Sequence, residues 1–339
     1  TLNNATHQGT QAQGGTFIYN NVANIQKEAV ELKNSYSSKN SSLGMGLSAG
    51  IGSKGSIKSN GISGNVSQSN GNLNTEGTNY QNGNFVNVNE VHNNTGSMTL
   101  TGFNQEGGKV TGNIEKLVVE SKQNTSITTG SSRNVGVGFS GNGIPNSLNV
   151  SQNNTNGNKN YVENQSSFTV GQGSNLQVGT LENTGAIIGK ENEPNTTFKI
   201  DKYIGHDLQN QDTTKTVGIS AGTSGAGFNY SNNEKESITR NTVVGNVEIN
   251  EASGSEINRN ISKANEVTKE KSTDIDVYAE DQLIKAVVNP SDFSEKQKLA
   301  LREIKDITDV IANTVNNKGA DNRGFIENLN ARRRATAIN

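Results

Sequence analysis

Short runs in which apolar and polar residues alternate dominate the first 250 positions of the chain. Phe168-Thr169-Val170, Leu176-Gln177-Val178 and Phe198-Lys199-Ile200 are representative. A period of two places the apolar side chains on one face of an extended segment. The pattern therefore predicts short strands of roughly four to six residues, each with one buried face.

Asn-Gly and Thr-Gly pairs separate these runs, and each pair offers a residue that tolerates the positive φ of a tight corner. They are Asn60-Gly61, Asn70-Gly71, Asn82-Gly83, Thr95-Gly96, Thr111-Gly112, Asn142-Gly143, Asn156-Gly157 and Thr184-Gly185. Hairpins fit this punctuation, and so do the corners of a parallel β-helix. Because the corners recur about every ten residues without long paired strands, we favour the β-helix, in which Asn and Thr can stack on their own kind.

The same strings return in the same order along the chain, which indicates a repeat. Gly46-Leu47-Ser48 returns as Gly138-Phe139-Ser140 and as Gly218-Ile219-Ser220, at spacings of 92 and 80 residues. An Asn-Val/Tyr-Ser string follows each of them, beginning at Asn65, Asn149 and Asn229. The repeats predict a solenoid over 1–250, with units near 23–111, 112–197 and 198–250. The polar stretches 51–82 and 141–166 are predicted to project from it as loops or hairpins.

Beyond residue 250 glycine becomes scarce, and the spacing of apolar residues changes. Asn289-Pro290-Ser291 is a helix start signal, and apolar residues then recur near a helical period until Asn316-Asn317-Lys318-Gly319. Shorter helices are predicted at 281–288 and at 257–270. We therefore expect 251–339 to be an α-helical region.

Composition favours a thin core. Only 29% of the residues are hydrophobic and the mean hydropathy is -0.69, which is too polar for ordinary globular cores of this length. Disorder would explain that polarity, but a net charge of -2 and only 3 prolines argue against it. A solenoid needs few inward apolar residues per coil. The chain has no cysteine, so neither disulfides nor thiolate metal sites are expected.

The ends of the chain, its apolar runs and its charge add further expectations. The opening residues lack an export signal, so any such signal is expected outside this segment. No apolar run approaches the roughly 20 residues of a membrane-spanning helix. The near-zero net charge argues against nucleic acid as a partner. The triplet Arg332-Arg333-Arg334 is interpreted as a solvated helix end.

Candidate chemistry is sparse, and we predict no catalytic, cofactor-binding or metal-binding residues. Gly136-Val137-Gly138-Phe139-Ser140-Gly141 has dinucleotide-like glycine spacing but neither the strand nor the helix of that motif, so close packing or a turn explains it better. His7, His92 and His206 have no partners at metal spacing and are expected at solvent-exposed positions. Glu115, Glu120, Glu182 and Asp201 are expected on solvated strand faces. A small-molecule substrate is not expected, although a β-helical carbohydrate-active enzyme would need such carboxylates clustered on one face.

Three segments resemble a known family. They are KLVVESKQNTSITTGSSRNVGVGFSG, SNLQVGTLENTGAIIG and FKIDKYIGHDLQNQDTTKTVGISAG, and they are similar to the haemagglutinin repeats of filamentous haemagglutinin and of contact-dependent inhibition exoproteins. The resemblance covers roughly residues 15–250. The segment from Ile257 resembles the region that follows the repeats in such exoproteins, where a pretoxin module can lie.

The resemblance implies a right-handed parallel β-helix that leaves the cell by two-partner secretion. Its expected partners are an outer-membrane transporter and a receptor on a host or bacterial cell, and its expected location is outside the cell or on the bacterial surface. The function implied is that of an adhesin stalk. The alternative is the delivery stalk of a contact-dependent inhibition toxin, with the toxin domain outside this segment.

Overall fold

The computed structural model describes residues 3–51, 57–139, 145–222 and 225–280. Strands make up most of them, and they form two parallel sheets and one antiparallel sheet. This confirms the prediction of a mainly β fold with parallel strands.

The first parallel sheet, which we call sheet A, has eight strands. Its members are β1 (Asn4–Gln8), β3 (Thr16–Asn20), β4 (Asn24–Glu28), β8 (Asn89–Thr101), β10 (Val110–Glu120), β14 (Asn175–Thr184), β16 (Thr197–His206) and β20 (Glu248–Gly254). The long strand β8 pairs with both β3 and β4. The other neighbours pair in the order in which the chain reaches them.

The second parallel sheet, sheet B, has six shorter strands. They are β2 (Gln11–Gln13), β7 (Gly83–Val86), β9 (Phe103–Glu106), β13 (Ser167–Val170), β15 (Ile187–Lys190) and β19 (Thr242–Val244). These strands are also stacked in chain order. The chain therefore visits sheets A and B alternately, and we call one passage through A and then B a round.

One hydrophobic core is shared by the two parallel sheets. The inward positions of sheet A stack in register, as in the series Ile25, Met98, Leu117, Leu181 and Tyr203. All five are fully buried. Each round contributes only a few such residues, which explains why so polar a chain can still have a dry interior.

Asparagine ladders continue the stacking at the corners. Asn94 donates from Nδ2 to Oδ1 of Asn21 at 3.1 Å, and Asn93 donates to Asn20 at 2.7 Å. Asn21 and Asn94 both have positive φ, so equivalent corners repeat their backbone conformation. The predicted stacking of Asn on Asn is confirmed at these positions.

The antiparallel sheet, sheet C, consists of seven mostly long strands. They are β5 (Val30–Ile51), β6 (Ile57–Gln81), β11 (Asn124–Phe139), β12 (Pro145–Tyr161), β17 (Leu208–Gly222), β18 (Gly225–Thr239) and β21 (Asn265–Glu280), in this spatial order. The first six form three hairpins, and neighbouring hairpins pair with one another. Of the polar stretches predicted to project as loops or hairpins, residues 57–81 form β6 and residues 145–161 form β12, whereas Val162 and Ser166 at the end of the second stretch are fully buried.

Each hairpin is inserted between a strand of sheet A and the next strand of sheet B. One register position of sheet A runs through Asn4, Asn24, Ser97, Lys116, Thr180, Lys202 and Glu251. The steps along that series are 20, 73, 19, 64, 22 and 49 residues. Short rounds therefore alternate with rounds that carry a hairpin, and two rounds make the repeat seen in the sequence.

The structure corrects two predictions about local structure. Residues 257–270 are not an α-helix: they contain the 3₁₀ turn Ile261–Lys263 and the start of β21. Extended pairing with β18 outweighs the weak helical pattern there. The α-helical prediction for 251–339 is thus wrong over 251–280, and the helices predicted at 281–288 and after Asn289 lie outside the described residues.

The second correction concerns the Asn-Gly pairs. Asn70-Gly71 and Asn156-Gly157 lie inside β6 and β12, away from any corner, and neither glycine has positive φ. Gly112 and Gly185 do have positive φ, and Gly185 follows the end of β14. Thr-Gly therefore marks positive-φ positions in the parallel part, whereas these two Asn-Gly pairs of sheet C belong to strands.

Candidate interaction surface

In the half of sheet C that lies farther from the parallel sheets, the two faces of the sheet differ chemically. Residues paired across an antiparallel sheet place their side chains on the same face. Met45, Val66, Val137 and Leu148 form one such cross-strand row. Strand alternation then assigns every second residue of each strand to this face.

We call this surface the apolar face. It is formed by Leu43, Met45, Leu47, Val66, Val135, Val137, Phe139, Leu148, Val150, Val217, Ile219 and Tyr230. Phe228 lies on the same side of the sheet but is only 5% exposed. Much of it is open to solvent: Leu47 is 87% exposed, Met45 78% and Leu43 69%. Contiguous exposed apolar surface of this kind marks interaction sites in soluble proteins.

The opposite face of the same strands carries glycine, serine and asparagine. Gly136 and Gly138 lie between Val135, Val137 and Phe139 along β11. The nucleotide-like glycine spacing thus comes from a two-faced strand, in which apolar residues occupy one side and glycines the other. Close packing, one of the two explanations given for this motif, does not apply to Gly136, where an added Cβ would meet no atom nearer than 3.9 Å. At Gly218, in the equivalent string of the third hairpin, an added Cβ would overlap the side-chain oxygens of Asn229 and Asn153.

A shallow groove of 660 Å³ crosses five strands of sheet C nearer the parallel sheets. Its lining includes Lys33, Glu76, Ile127 and Lys159, with threonines and asparagines between them. Ile127 is 64% exposed, so one apolar side chain stands among polar groups. The Lys159 ammonium lies 2.5 Å from the Glu163 carboxylate. The groove is open and mixed in character, and it does not bring several carboxylates together.

Buried amides and hydroxyls fix the hairpins where they leave the parallel sheets. Asn210 is 2% exposed, and its Nδ2 donates to Ser237 Oγ at 2.9 Å and to Thr239 Oγ1 at 2.8 Å. The backbone N–H of Val162 donates to Asn210 Oδ1 at 3.0 Å. This one side chain therefore ties the second hairpin to the third.

The interior of the first rounds contains a polar cluster, formed by Lys27, Glu90, His92 and Gln105. Each of them is at most 1% exposed. The Lys27 ammonium forms an ion pair with Glu90 and donates to Gln105 Oε1 at 2.6 Å. Gln105 Nε2 donates to Glu90 Oε2 at 2.9 Å, and His92 Nε2 lies 3.1 Å from the same oxygen. Every charged group here has partners, as burial demands.

Glu90 is held in its ionised form. Burial by itself would raise the pKa of Glu90, but the Lys27 ammonium and the hydrogen bond with His92 lower that pKa to about 2. The Lys27 ammonium also lies 4.8 Å from the centroid of the Phe85 ring. In the next rounds the positions of Lys27 and Glu90 are taken by Leu100 and Val110, so the polar interior is confined to this end of the core.

Two of the three histidines do not lie where the sequence predicted. His206 is exposed, as expected. His92 is buried and also contacts Thr95 Oγ1 at 2.9 Å. His7 is partly buried and lies 3.1 Å from the Tyr19 hydroxyl, and burial lowers its pKa. Both are drawn inward because they share the strand face that points at the core.

The four carboxylates considered as candidates lie on β10, β14 and β16 of sheet A, and none of them is buried. Glu115 and Asp201 are exposed, and Glu120 and Glu182 are partly exposed. Glu182 pairs with the Lys116 ammonium at 3.0 Å. Among the residues that the structure describes, no group of three or more His, Asp or Glu side chains could hold a metal ion.

Sequence reasoning missed the buried cluster. Ile25 and Lys27 are two residues apart in β4, as are Glu90 and His92 in β8. Strand alternation places Lys27 on the same face as the buried Ile25. That placement was a usable signal, but partners 63 and 78 residues away from Lys27 in the chain could not be identified from it.

Comparison with known families finds a match in the first part of the chain. The family described as hemagglutinin repeat matches residues 1–135. The match covers 135 of the 339 residues, so it is a similarity of this part of the chain. The resemblance to the filamentous haemagglutinin family is thereby confirmed over this part of the chain. No curated protein matches, and no solved structure matches.

The hemagglutinin repeat match spans the first complete hairpin and ends within β11. The family is structural and adhesin-like, and it implies a secreted or surface-exposed protein. The buried cluster and the apolar strand ends Leu43 to Leu47 both fall inside the matched residues. In the described residues no helix has the length and apolarity to cross a membrane.

Proposed function

We propose that this chain is a stalk segment of a secreted bacterial adhesin, in which sheets A and B are faces of a right-handed β-helix that displays the hairpins of sheet C. The observation that carries the proposal is the alternation of short and hairpin-bearing rounds. In-register stacking builds a rod by repetition, and each hairpin adds two long strands to a continuous outer surface. Such a rod does its work by contact and presentation.

The dimensions suit that role. Seven successive positions of sheet A, at about 4.8 Å per strand, span roughly 30 Å. The strands of the first hairpin are 22 and 25 residues long, which is about 75–85 Å at roughly 3.4 Å per residue. The hairpins thus reach far from the narrow core and offer a receptor more area than the core itself.

Two-partner secretion fits this architecture, with an outer-membrane transporter as the partner. A chain without cysteine passes such a pore without bridged loops. Rounds that stack on their predecessors can fold in order as they emerge. The receptor on the host or bacterial cell would contact sheet C.

Delivery of a contact-dependent inhibition toxin is the alternative function. The change in composition favours it, because only Gly254, Gly319 and Gly324 follow residue 250. In that case 251–339 would be a pretoxin-like region behind the repeat region 1–250, and the stalk would carry a toxin domain encoded further on.

Bead adhesion tests the proposal. Beads coated with the full 339-residue chain should bind epithelial or bacterial cells, and soluble chain should compete with them. The matched control is a chain in which residues 125–160, most of the second hairpin, are replaced by a turn; it should bind cells more weakly because the presented sheet is interrupted. Binding no greater than that of albumin-coated beads on every cell type would overturn the adhesin assignment and leave delivery as the better one.

A further inference from the structure

We propose that two copies of this chain associate through sheet C, apolar face on apolar face. The inference concerns lateral pairing of the chain and goes beyond the adhesin role. It starts from the uncovered surface defined above, on which Met45, Leu148 and Ile219 are 78%, 47% and 46% exposed. An antiparallel sheet with one apolar face normally packs that face against another layer.

The size of the apolar face fits a protein interface. It crosses six strands, or about 24 Å at roughly 4.8 Å per strand spacing. The face is staggered along the sheet: Leu43 to Leu47 cover about 14 Å of β5 at roughly 3.4 Å per residue, whereas Val217 and Ile219 lie in the rows of Lys39 and Ser41. Its side chains, at about 33 Å² each, give a footprint of roughly 400 Å² per copy, and a pair buries roughly 800 Å² in total, the size of a weak and reversible interface.

The repeat makes the surface complementary to itself. Leu43 to Leu47, Val135 to Phe139 and Val217 to Ile219 are equivalent apolar stretches of the three hairpins. A second copy would therefore place apolar strands opposite apolar strands, with the two sheets about 10 Å apart as in a β-sandwich. Arg133 and Lys39 are the described charged residues in the rows that the face occupies, from Lys39 to Leu47, so little charge would have to be desolvated.

The other face of sheet C gives a contrast within the same strands. Glycine, serine and asparagine dominate it, and Ser132 lies there directly opposite Gly71. Since the polar face has little apolar surface to bury, it would remain exposed to solvent in the dimer. A lysine introduced on the apolar face should therefore weaken the dimer, whereas a lysine on the polar face should not.

Val137→Lys and Ser132→Lys form the matched test. Both add a lysine to the interior strand β11, on the apolar face and on the polar face respectively. In sedimentation velocity of the full chain across a wide concentration range, we expect a reversible dimer. Val137→Lys should weaken dimerisation at least about tenfold, equivalent to 1.4 kcal/mol, whereas Ser132→Lys should leave it unchanged.

Cysteine cross-linking gives a second readout that does not need a lysine to fit in the sheet. Since the chain has no cysteine of its own, a single Val137→Cys should cross-link two copies under mild oxidation, and Ser132→Cys should not. Equal cross-linking at the two positions would refute face-to-face pairing.

Other occupants would give different results. A chain that stays monomeric in full length and dimerises only when 281–339 are removed would overturn the proposal and make that segment the occupant. A monomeric chain that sediments with neutral lipid vesicles, and loses this with Val137→Lys, would overturn it in favour of a lipid surface. The proposal would also be refuted by a wild-type chain that is monomeric at every concentration, does not dimerise when 281–339 are removed and does not sediment with lipid vesicles.

Discussion

Single residues decide what the interior of this chain tolerates. Most inward positions are apolar, yet Lys27 and Glu90 are completely buried in the first rounds. Two charges in a dry core are tolerated because they pair with each other and because Gln105 and His92 satisfy their remaining hydrogen-bonding groups. The cluster joins four strand positions from two successive rounds and so favours one register over its neighbours.

Removing one member of this cluster should destabilise the fold. Lys27→Met leaves the Glu90 carboxylate buried without its cation, and we expect a loss of about 3–5 kcal/mol in the free energy of unfolding. Urea denaturation of the full chain measures it. Lys116→Met is the control, because it removes a half-exposed partner of Glu182 and should cost no more than about 1 kcal/mol.

The same pair predicts a pH dependence. The pKa of Glu90 is about 2 in the fold, against an ordinary value of 4.5. The stabilisation from this carboxylate is therefore complete above about pH 4.5 and is lost as the pH falls towards about 2. Replacing Lys27 and Glu90 together by apolar residues should restore part of the stability and remove this acid sensitivity. If the Lys27→Met and Lys116→Met chains unfold at the same urea concentration, the cluster has no structural role.

At the scale of the elements, the same period-two alternation occurs in the strands of the parallel sheets and in the strands of sheet C. Alternation predicted the strands of sheets A and B well, because their burial depends on every second residue. It did not distinguish them from the strands of sheet C, where alternation separates an apolar face from a glycine-rich face in solvent. Asn70-Gly71 and Asn156-Gly157 were misplaced at corners for this reason, since a dipeptide contains no information about its partner strand.

The glycines of sheet C lead to a prediction at the scale of the strand. Gly218→Val should loosen the pairing of β17 with β12 and β18, because its side chain would overlap Asn153 and Asn229. Gly136→Val is the control: an added Cβ there meets its nearest atom only at 3.9 Å, and valine favours strands. Amide hydrogen exchange should show lost protection across β17 and β18 in the first chain only. Equal protection in the Gly218→Val and Gly136→Val chains would mean that Gly218 is not required to leave space for the side chains of Asn153 and Asn229.

At the scale of the whole molecule, hairpins and rounds form two partly separate structures. The parallel rounds share one core, while the hairpins pair mainly with each other. A hairpin that begins and ends at one corner can vary in length with little effect on the stacking beneath it. The steps of 73, 64 and 49 residues along sheet A show such variation within one chain.

Excising a hairpin tests that separation. Asn124 and Tyr161 are directly paired, so a short turn can replace residues 125–160. We expect amide protection in sheets A and B to persist. The free energy of unfolding of these sheets should change by about 1 kcal/mol or less, because shortening a loop alters its closure entropy only slightly. Deletion of Ser167–Val170 should instead unfold neighbouring rounds, since Phe168 is fully buried. Equal loss of protection after both deletions would show that hairpins and rounds fold as one unit.

The sequence by itself determined the properties that depend on neighbours in the chain. Period-two alternation predicted strands, recurring strings predicted repeats, and the same strings carried the resemblance to the hemagglutinin repeat family. It also predicted that parts of the first two hairpins project, but it did not predict the third hairpin, β17 and β18, which it assigned to the solenoid.

Only the tertiary structure decided the properties that depend on strand pairing. Long-range register brought Lys27, Glu90 and Gln105 together, joined the hairpins into one sheet and placed Met45, Val66, Val137 and Leu148 on one face. It also extended β21 through a region that the sequence predicted to be helical. The physical reason is common to all of these: hydrogen bonds between distant strands set which side chains meet, and no local pattern specifies the partner.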